Sequence, residues 1–443
     1  MKIYDTKTAP SPRRVRIFLA EKNIPMEYVQ VDLQKGENIS ADMRVKNPMG
    51  KIPVLELDDG TCISEGAAIC LYFEELYPQI NLLGKDPLEK ATIDMWQRQV
   101  ELYFFGQVGM CFQHTTGYFK DRMTPVKEYG EVAGKNAAGF LKVLEKRLAD
   151  MFGMDEALFF PSGTMANQAA LKLHTNPGEQ VICDTYAHIY NYEGGGASFN
   201  SGISCQLING NRGMFTAKQA EVAINPPDFY HSPLTSLIAI ENTTNKGGGA
   251  CWDFEELKKI KTVADKHNLG YHLDGARLWN ALIAKGENPK QYGQLFDTIS
   301  VCLSKGLGCP MGSVLLGNKD IMKGAIRIRK IFGGGMRQVG FAAAAGLYAL
   351  DNHFERLAED HKKAKEIGAE LSKLAFIKKV EPIETNIIIF ELNDNVNETQ
   401  FLNSLKDKNI HSISMGSNKL RMVTHLDYTD EMHTKFLRIL KDL

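Results

Sequence analysis

An aspartate and a lysine in the second half of the chain each follow an apolar segment with the length of a buried strand. Asp274 follows residues 270–273, and Lys305 follows residues 298–303. A lysine beside a protein core can form a Schiff base with a carbonyl compound, although an exposed loop lysine is an equally simple interpretation. A carboxylate at the end of a strand can bind a protonated ring nitrogen, but such an aspartate is more often a cap or turn residue.

A third group suited to chemistry is Ser162-Gly163-Thr164, which lies between the apolar residues 157–160 and a predicted helix at residues 165–173. The free N–H groups of a helix N-terminus, together with two hydroxyls, can bind a phosphate. An ordinary helix cap is the alternative. A phosphate site, an aspartate and a lysine are together what pyridoxal phosphate requires: an anchor, a partner for the pyridine nitrogen and a covalent tether.

The elements that position these groups are short apolar strands that alternate with helices. Further strands are predicted at residues 181–183 and 236–240, and an amphipathic helix is predicted at residues 254–267. This alternation indicates an α/β fold with parallel strands. Polar residues stand at the C-terminal ends of the strands, where open α/β sheets bind their ligands.

Six motifs follow one another through this part of the chain: AHIYNYEGGG, ENTTNKGG, HLDGARLWNA, CLSKGLGCPMGS, RKIFGGGMRQ and LRMVTHLD. In this order they resemble the L-threonine aldolases, which are fold-type I pyridoxal phosphate enzymes with a transferase-like fold. The resemblance implies a large cofactor-binding domain at residues 151–345, with a mainly parallel sheet. It also implies a small C-terminal α+β domain at residues 346–443.

The same resemblance implies an activity and a set of site residues. L-threonine or L-allo-threonine would be cleaved to glycine and acetaldehyde, the reaction of a carbon–carbon lyase. Lys305 would bind the cofactor covalently, Asp274 would hold the pyridine nitrogen, and His188 would stack on the ring and assist proton transfer. The other implied residues bind the phosphate (Ser162, Gly163, Thr164), contact the cofactor or the substrate carboxylate (Arg277, Arg421), or belong to a loop beside the site (Lys330, Arg337). From the residues alone, His188 is equally a core histidine and Arg421 a charge on an edge strand.

The chain departs from the threonine aldolase pattern in two places. Many members of the family have a histidine where this chain has Thr244, so we expect an altered rate or an altered preference between threonine and allo-threonine. The family's N-terminal arm, of the type D-x-R-S-D-T-V-T, helps to close the active site. It is not found ahead of the phosphate-binding segment.

The first 150 residues have a different pattern. Strands are predicted at residues 2–5 and 28–33, a helix at 12–22, and a hairpin at 54–63 around Asp-Asp-Gly-Thr. A strand, helix, strand order indicates a parallel pair with a crossover helix. The segment resembles the thioredoxin-like N-terminal domain of the glutathione S-transferases at residues 1–82. A truncated helical segment of the same family follows at residues 83–150.

The transferase resemblance implies a glutathione site. Its residues would be Ser11, Lys51, Ile52, Pro53, Ser64 and Glu65. Pro53 would be a cis-proline whose loop presents backbone groups to the cysteinyl part of glutathione, and Ser64 and Glu65 would bind the γ-glutamyl end. The alternative is that Ser64 caps a helix, Glu65 is a favourable first-turn charge and Pro53 is only a turn residue.

Composition argues against several function classes. Fifty-two basic and 53 acidic residues leave a net charge of −1, which does not suit nucleic-acid or membrane binding. The eight cysteines form no C-x-x-C pair, so we expect no metal site and no disulfide framework, and we expect a reducing cytoplasm. The expected partners are a small amino acid substrate, glutathione as a second ligand, and further copies of the chain in a homo-oligomeric dimer or tetramer.

Two alternatives to a threonine-cleaving lyase stay open. One is a glutathione-binding protein with an inactive aldolase remnant, and the other is a pyridoxal phosphate-dependent β-eliminating lyase. Because both resemblances are truncated near residue 150, we expect uncovered apolar surface there and reduced activity. The burial of four aromatic side chains tests this expectation: Trp96, Tyr103, Phe104 and Phe140. If all four were fully buried in one compact helical layer, the expectation would be wrong.

Overall fold

The computed structural model describes residues 1–336 and 339–441, except the side chain of Phe140. The chain divides into two compact units, Met1–Glu101 and Leu102–Leu443. In the part of the chain that the structure describes, no helix is both long and apolar enough to cross a membrane.

A four-stranded sheet forms the centre of the first unit. Its strands are β1 (Lys2–Asp5), β2 (Glu27–Gln30), β3 (Val54–Glu56) and β4 (Cys62–Ser64), and its helices are α1 (Pro10–Glu21), α2 (Ala41–Lys46), α3 (Gly66–Leu76) and α4 (Pro87–Gln99). The strand order is β2-β1-β3-β4. The β1–β2 pair is parallel and β3–β4 is antiparallel, which confirms the predicted crossover and hairpin. Ile3, Val15, Leu55 and Phe73 form its core.

A seven-stranded sheet forms the centre of the second unit. Its strands are β5 (Glu156–Phe160), β6 (Gln180–Asp184), β7 (Ser204–Ile208), β8 (Thr235–Glu241), β9 (Gly270–Gly275), β10 (Thr298–Cys302) and β11 (Ser313–Gly317). The order is β5-β11-β10-β9-β8-β6-β7. Strands β6 to β10 are parallel, and β11 runs antiparallel to both of its neighbours. The predicted mainly parallel sheet is confirmed, and its strands are buried because helices cover both faces.

The helices of the second unit follow the strands in alternation. They are α5 (Gly106–Thr115), α6 (Lys127–Phe152), α7 (Gly163–His174), α8 (His188–Asn191), α9 (Ala217–Val222), α10 (Phe254–Lys266), α11 (Leu278–Lys285), α12 (Pro289–Leu295), α13 (Lys319–Met322), α14 (Ala325–Ile331), α15 (Gly340–Asn352), α16 (Leu357–Leu371), α17 (Glu398–Lys406) and α18 (Asp430–Lys441). Helix α10 illustrates the sequence signal. The Asp253 side chain caps its N-terminus, and Leu257, Ile260 and Ala264 are buried on one face.

The C-terminal part of the second unit has an antiparallel sheet of its own. Its strands are β12 (Ile377–Val380), β13 (Ile387–Leu392), β14 (Ile413–Gly416) and β15 (Lys419–Val423), in the order β12-β13-β15-β14. Helices α16, α17 and α18 supply the other half of a core that contains Ile388, Phe390, Leu420 and Phe436. This is the expected small α+β domain.

The segment near residue 150 does not form one compact helical layer. Tyr103 is 63% exposed and Trp96 is half-buried, whereas Phe104 is buried against Gly340. Several other large apolar side chains of this segment are exposed, among them Leu102, Phe112, Tyr118, Tyr129, Val132 and Val143. Helix α6 nevertheless packs against β5, α12 and α15, so the segment relies on the second unit for its core.

Candidate active site

Three parallel strands bring the predicted catalytic groups to one edge of the large sheet. Asp274 of β9 is in register with Glu241 of β8 and with Ser300 of β10. Lys305 follows the end of β10 by three residues. Because parallel strands end at the same edge, the predicted site at the C-terminal strand ends has the expected framework.

The Asp274 carboxylate is buried and held by two donors. Its Oδ2 accepts a hydrogen bond from Asn167 Nδ2 at 2.8 Å, and its Oδ1 accepts one from the backbone N–H of Ala276 at 3.1 Å. Hydrogen bonds to the charged form stabilise an ionised carboxylate. The result is an oriented anion in a buried site, which is what a protonated ring nitrogen requires.

His188, the first residue of α8, is paired with a buried carboxylate. Its Nδ1 lies 2.9 Å from Glu193 Oε1, and this contact raises the pKa of His188 above its usual range. Glu193 also accepts hydrogen bonds from Asn167 and Gln168, at 2.9 and 2.6 Å. One ring nitrogen of His188 and one carboxylate oxygen each of Glu193 and Asp274 lie within 4.8 Å of one another, a spacing that suits the ligands of a metal ion. The Asn167 amide already donates to both carboxylates, so the cluster is hydrogen-bonded without a metal.

Glu241 is a buried carboxylate that joins two parts of the site. Its Oε2 accepts a hydrogen bond from the backbone N–H of His188 and its Oε1 from that of Asn245, both at 2.8 Å. Burial, with the neighbouring charge of Asp274, raises the pKa of Glu241 to about 7. The end of β8 therefore fixes the backbone at the start of α8 and in the loop that follows.

Arg277 and Arg421 come from distant parts of the chain and meet at one amide. Arg277 Nη1 and Arg421 Nη2 both donate to Asn245 Oδ1, at 3.1 and 2.9 Å. Burial lowers the pKa of Arg277, and burial with the charge of Arg277 lowers the pKa of Arg421 to about 10. Among the described residues, the buried Arg421 Nε has no hydrogen-bond partner. Two guanidinium groups with donors to spare are suited to binding a carboxylate.

The lysine and the phosphate segment complete the predicted set. Lys305 is half-buried, and within residues 1–336 and 339–441 no hydrogen bond or ion pair involves its Nζ. Ser162 caps α7 by accepting a hydrogen bond from Met165 N at 3.2 Å, and the role of residues 162–164 in phosphate binding stays a prediction. A Cβ atom at Gly163 would lie 2.7 Å from Cys302 Sγ, so only glycine lets the start of α7 approach β10 so closely. The first-turn N–H groups there need an external acceptor.

Comparison with known proteins agrees with this arrangement. Residues 120–395, more than half of the chain, match the beta-eliminating lyase family. The chain belongs to this family. Residues 8–76 match the N-terminal domain of glutathione S-transferases. Both resemblances seen in the sequence are therefore confirmed, and this member of the beta-eliminating lyase family carries a transferase-type N-terminal domain.

The similar proteins include threonine aldolases. The low-specificity L-threonine aldolase 1 of Arabidopsis thaliana is 38% identical over 294 residues, which are 65% of this chain and 82% of the relative. The low specificity L-threonine aldolase of Escherichia coli strain K12 is 38% identical over 292 residues, 66% of this chain and 85% of the relative. The structure of Leishmania major threonine aldolase has the same fold, with a TM-score of 0.60 and 22% identity over 68% of this chain and 89% of that chain.

Lys330 and Thr244, which the sequence analysis singled out, have no hydrogen bond that links them to the site within the described residues. Lys330 is exposed near the end of α14, close to Gly335, and Arg337 lies outside the described residues. Thr244 is buried, and its Oγ1 is without a hydrogen-bond partner in the described part of the chain. The neighbouring Arg329, which the motif analysis passed over, donates to the Phe159 carbonyl at 2.7 Å and has a structural role.

Four site residues of the lyase were missed by the motif analysis: Asn167, Glu193, Glu241 and Asn245. Glu193 and Asn245 stand inside the quoted motifs, and Glu241 ends an apolar strand, so their positions were visible but their partners were not. Asn167 lies in the second turn of α7 and is buried. A buried asparagine in a helix is a usable signal, because asparagine is a poor helix former and a buried amide needs partners.

The transferase-type unit agrees with its prediction in part. The Ile52–Pro53 peptide bond is cis, as expected. The expectation that Ser64 caps α3 is wrong, because Ser64 ends β4 and α3 begins at Gly66. Glu65 occupies the N-cap position with a φ of 71° and no side-chain cap bond. A cavity of about 660 Å³ beside Glu65 is lined mainly by residues of α3 and α4.

The remaining predicted glutathione-site residues lie at or near the surface of the same unit. Ser11 is exposed in the first turn of α1, Lys51 is exposed and Ile52 is half-buried. A left-handed φ is uncommon for a residue with a side chain, and such residues concentrate at ligand sites. The backbone of Glu65 is therefore the strongest local sign of a binding role in this unit.

Proposed function

We propose that this chain is a pyridoxal phosphate-dependent aldehyde-lyase that cleaves L-threonine or L-allo-threonine to glycine and acetaldehyde. Two of the proteins that it is similar to are low-specificity L-threonine aldolases. The observation that carries the proposal is the buried, hydrogen-bonded Asp274 at the same sheet edge as a lysine without a partner among the described residues. These are the acid and the tether that the cofactor needs.

The residues of the site fit pyridoxal phosphate in number and in chemistry. Lys305 offers an amine, Asp274 offers an oriented carboxylate, and the start of α7 offers free N–H groups near Gly163. The Arg277 and Arg421 pair offers donors to a carboxylate. The set therefore matches a cofactor with an aldehyde, a ring nitrogen and a phosphate, beside an amino acid.

Pyridoxal phosphate, when bound, supplies an electron-withdrawing ring that weakens the bonds at Cα of the amino acid. Asp274 holds a proton on the ring nitrogen, which keeps the ring electron-poor. Arg277 and Arg421 bind the substrate carboxylate and orient the Cα–Cβ bond. His188 has Nδ1 engaged by Glu193, which leaves Nε2 as the atom that exchanges a proton. Thr244 carries a hydroxyl, which can orient the substrate but is too weak a base to take its proton.

Product analysis tests this function. The purified chain, supplied with pyridoxal phosphate, should convert L-threonine to equimolar glycine and acetaldehyde without releasing ammonia. Ammonia with 2-oxobutanoate would instead indicate a β-eliminating lyase. If the cofactor binds but neither set of products forms, the lyase function is contradicted and an inactive remnant is favoured. Comparison of L-threonine with L-allo-threonine gives the stereochemical preference that Thr244 is expected to alter.

We propose glutathione as the ligand of the first unit. The support is the match to the transferase N-terminal domain and the left-handed Glu65 beside a cavity. Equilibrium dialysis with labelled glutathione tests it, and absence of saturable binding would make this unit a scaffold only.

We further propose a homo-oligomer in a reducing cytoplasm. All eight cysteines are free, which suits a reducing compartment. Light scattering after gel filtration measures the oligomeric state, and a mass of one chain at every concentration would contradict the first part of this proposal.

A further inference from the structure

We infer that Asn245 is a positioning residue that makes the site selective for substrates with a free α-carboxylate, because it holds Arg277 and Arg421 as one pair. The inference rests on the proposed function, since it assigns the carboxylate of the amino acid to these two arginines. Asn245 itself belongs to the ENTTNKGG segment and lies in the loop after β8.

The shared acceptor is the first observation. Asn245 Oδ1 lies 3.1 Å from Arg277 Nη1 and 2.9 Å from Arg421 Nη2, so one neutral oxygen binds both cations. Two partly buried guanidinium groups repel each other, and burial together with this repulsion lowers the pKa of Arg421. A neutral amide oxygen can orient the two groups without neutralising their charge, which stays available to an incoming anion.

The second observation is that Asn245 is itself held rigidly. Its backbone N–H donates to Glu241 Oε1 at 2.8 Å, and the other oxygen of Glu241 accepts from His188 N. Two residues further along, the Gly247 carbonyl accepts from Arg212 Nε at 2.9 Å. The pair of arginines is thus placed relative to His188 through one buried carboxylate.

The residue type follows from this role. Aspartate at position 245 would form two permanent ion pairs at the place where the substrate carboxylate brings its charge, so it would compete with the substrate. Alanine would remove the shared acceptor and leave two buried cations without a fixed separation. Asparagine supplies the geometry without the charge.

The experiment compares Asn245→Asp and Asn245→Ala with the exposed control Asn403→Asp on α17. For Asn245→Asp the KM for L-threonine should rise by at least about tenfold with a much smaller change in kcat, because the carboxylate contact is made equally in ground and transition states. The ratio of kcat/KM between L-threonine and L-threoninamide should fall by a similar factor, since the amide has no charge to lose. Asn245→Ala should raise KM less than Asn245→Asp, and Asn403→Asp should match the unmodified chain.

A binding readout keeps this inference separate from the proposed function. Glycine and glycinamide should perturb the visible absorbance of the bound cofactor. In Asn245→Asp the apparent affinity for glycine should fall, whereas that for glycinamide should not change. Unchanged KM in that variant, or equal losses for threonine and threoninamide, would overturn the inference. A glycine response without acetaldehyde formation would overturn only the proposed reaction, whereas no glycine response in the unmodified chain would overturn both. Thermal unfolding and cofactor content of each variant identify a simple folding defect. If Asn245→Asp has one, Asn245→Ser replaces it, and because serine brings no charge the expected rise in KM and fall in selectivity are the smaller ones given for Asn245→Ala.

Discussion

Asn167 donates a hydrogen bond to Asp274, with 2.8 Å between Asn167 Nδ2 and Asp274 Oδ2. The same Nδ2 donates to Glu193 Oε1 at 2.9 Å, while Asn167 Oδ1 accepts from Ser300 Oγ at 2.6 Å. The two carboxylates only accept hydrogen bonds, so they define which end of the amide faces them, and the serine hydroxyl donates to the amide oxygen at the other end. One asparagine in the second turn of α7 therefore orients both Asp274, the proposed acid at the ring nitrogen, and Glu193, the partner of His188.

Replacement of that acid should separate chemistry from folding. Asp274→Asn keeps the size of the side chain, so the chain should still fold. Because its single amide oxygen cannot serve both Asn167 Nδ2 and Ala276 N, the variant should lose about 1–3 kcal/mol of its free energy of unfolding. Its turnover of L-threonine should fall by at least about a hundredfold, equivalent to ~2.7 kcal/mol, because a neutral ring is a poor electron acceptor. Steady-state kinetics at saturating cofactor measure the effect. Turnover near that of the unmodified chain would contradict the role of Asp274.

Glu193 should set the protonation of His188. Glu193→Gln removes the negative partner of Nδ1, so the raised pKa of His188 should fall. In the folded protein this ion pair stabilises at pH values below about 6.5 and is lost as pH rises through the raised pKa. The variant should therefore lose stability mainly at acidic pH. Histidine NMR titration measures the pKa, with Glu255→Gln on the exposed side of α10 as the control, and an unchanged titration of His188 would contradict the pairing.

Two histidines, the half-buried His174 and the buried His272, should make the second unit sensitive to acid. His174 Nε2 and His272 Nδ1 both lie 2.9 Å from Thr298 Oγ1, and burial lowers their pKa values to about 4 and about 3. The unfolded chain binds protons below pH 6.5 that the folded chain does not, so stability should fall as pH drops from 6.5 to about 4. The slope is up to ~1.4 kcal/mol per pH unit for each histidine.

Urea unfolding at a series of pH values measures this slope. His174→Gln should flatten it by about the share of one histidine, whereas His411→Gln at an exposed position should leave it unchanged. An equal slope in all three proteins would show that other groups cause the acid sensitivity.

The glutathione proposal predicts an effect confined to the first unit. Ser64→Ala with Glu65→Ala should weaken glutathione binding by at least about tenfold, because a carboxylate and an ammonium would lose charge-assisted hydrogen bonds. Threonine cleavage should not change. Calorimetric titration checks the first point, with exposed Glu21→Gln on α1 as the control. Binding that survives the double substitution would place the ligand elsewhere.

Local sequence patterns predicted the framework of the site well. Asp274 and Lys305 stand at or just after the ends of strands that are buried on both faces, as is typical of the central parallel strands of an α/β sheet. Their meeting at one sheet edge follows from that topology. The cap at Ser162 was likewise readable, because it precedes a regular helix pattern.

Contacts between distant segments could not be read in the same way. The meeting of Arg277 and Arg421 at Asn245 depends on how the small domain docks on the sheet, since β15 carries Arg421. The start of α3 was misjudged by one residue because Glu65 adopts a left-handed backbone that composition does not favour. Glu193 was missed since nothing in a glycine-rich segment indicates a buried carboxylate.

The central claim is that Lys305 binds pyridoxal phosphate covalently, and reduction of the cofactor-loaded chain with borohydride tests it most directly. Peptide mass analysis should find the reduced phosphopyridoxyl group on Lys305. Lys305→Ala should lose the group, the visible absorbance and threonine cleavage, while Lys323→Ala at an exposed position of the second unit keeps all three. A group found on another lysine, or a Lys305→Ala protein that retains absorbance and threonine cleavage, would contradict the assignment.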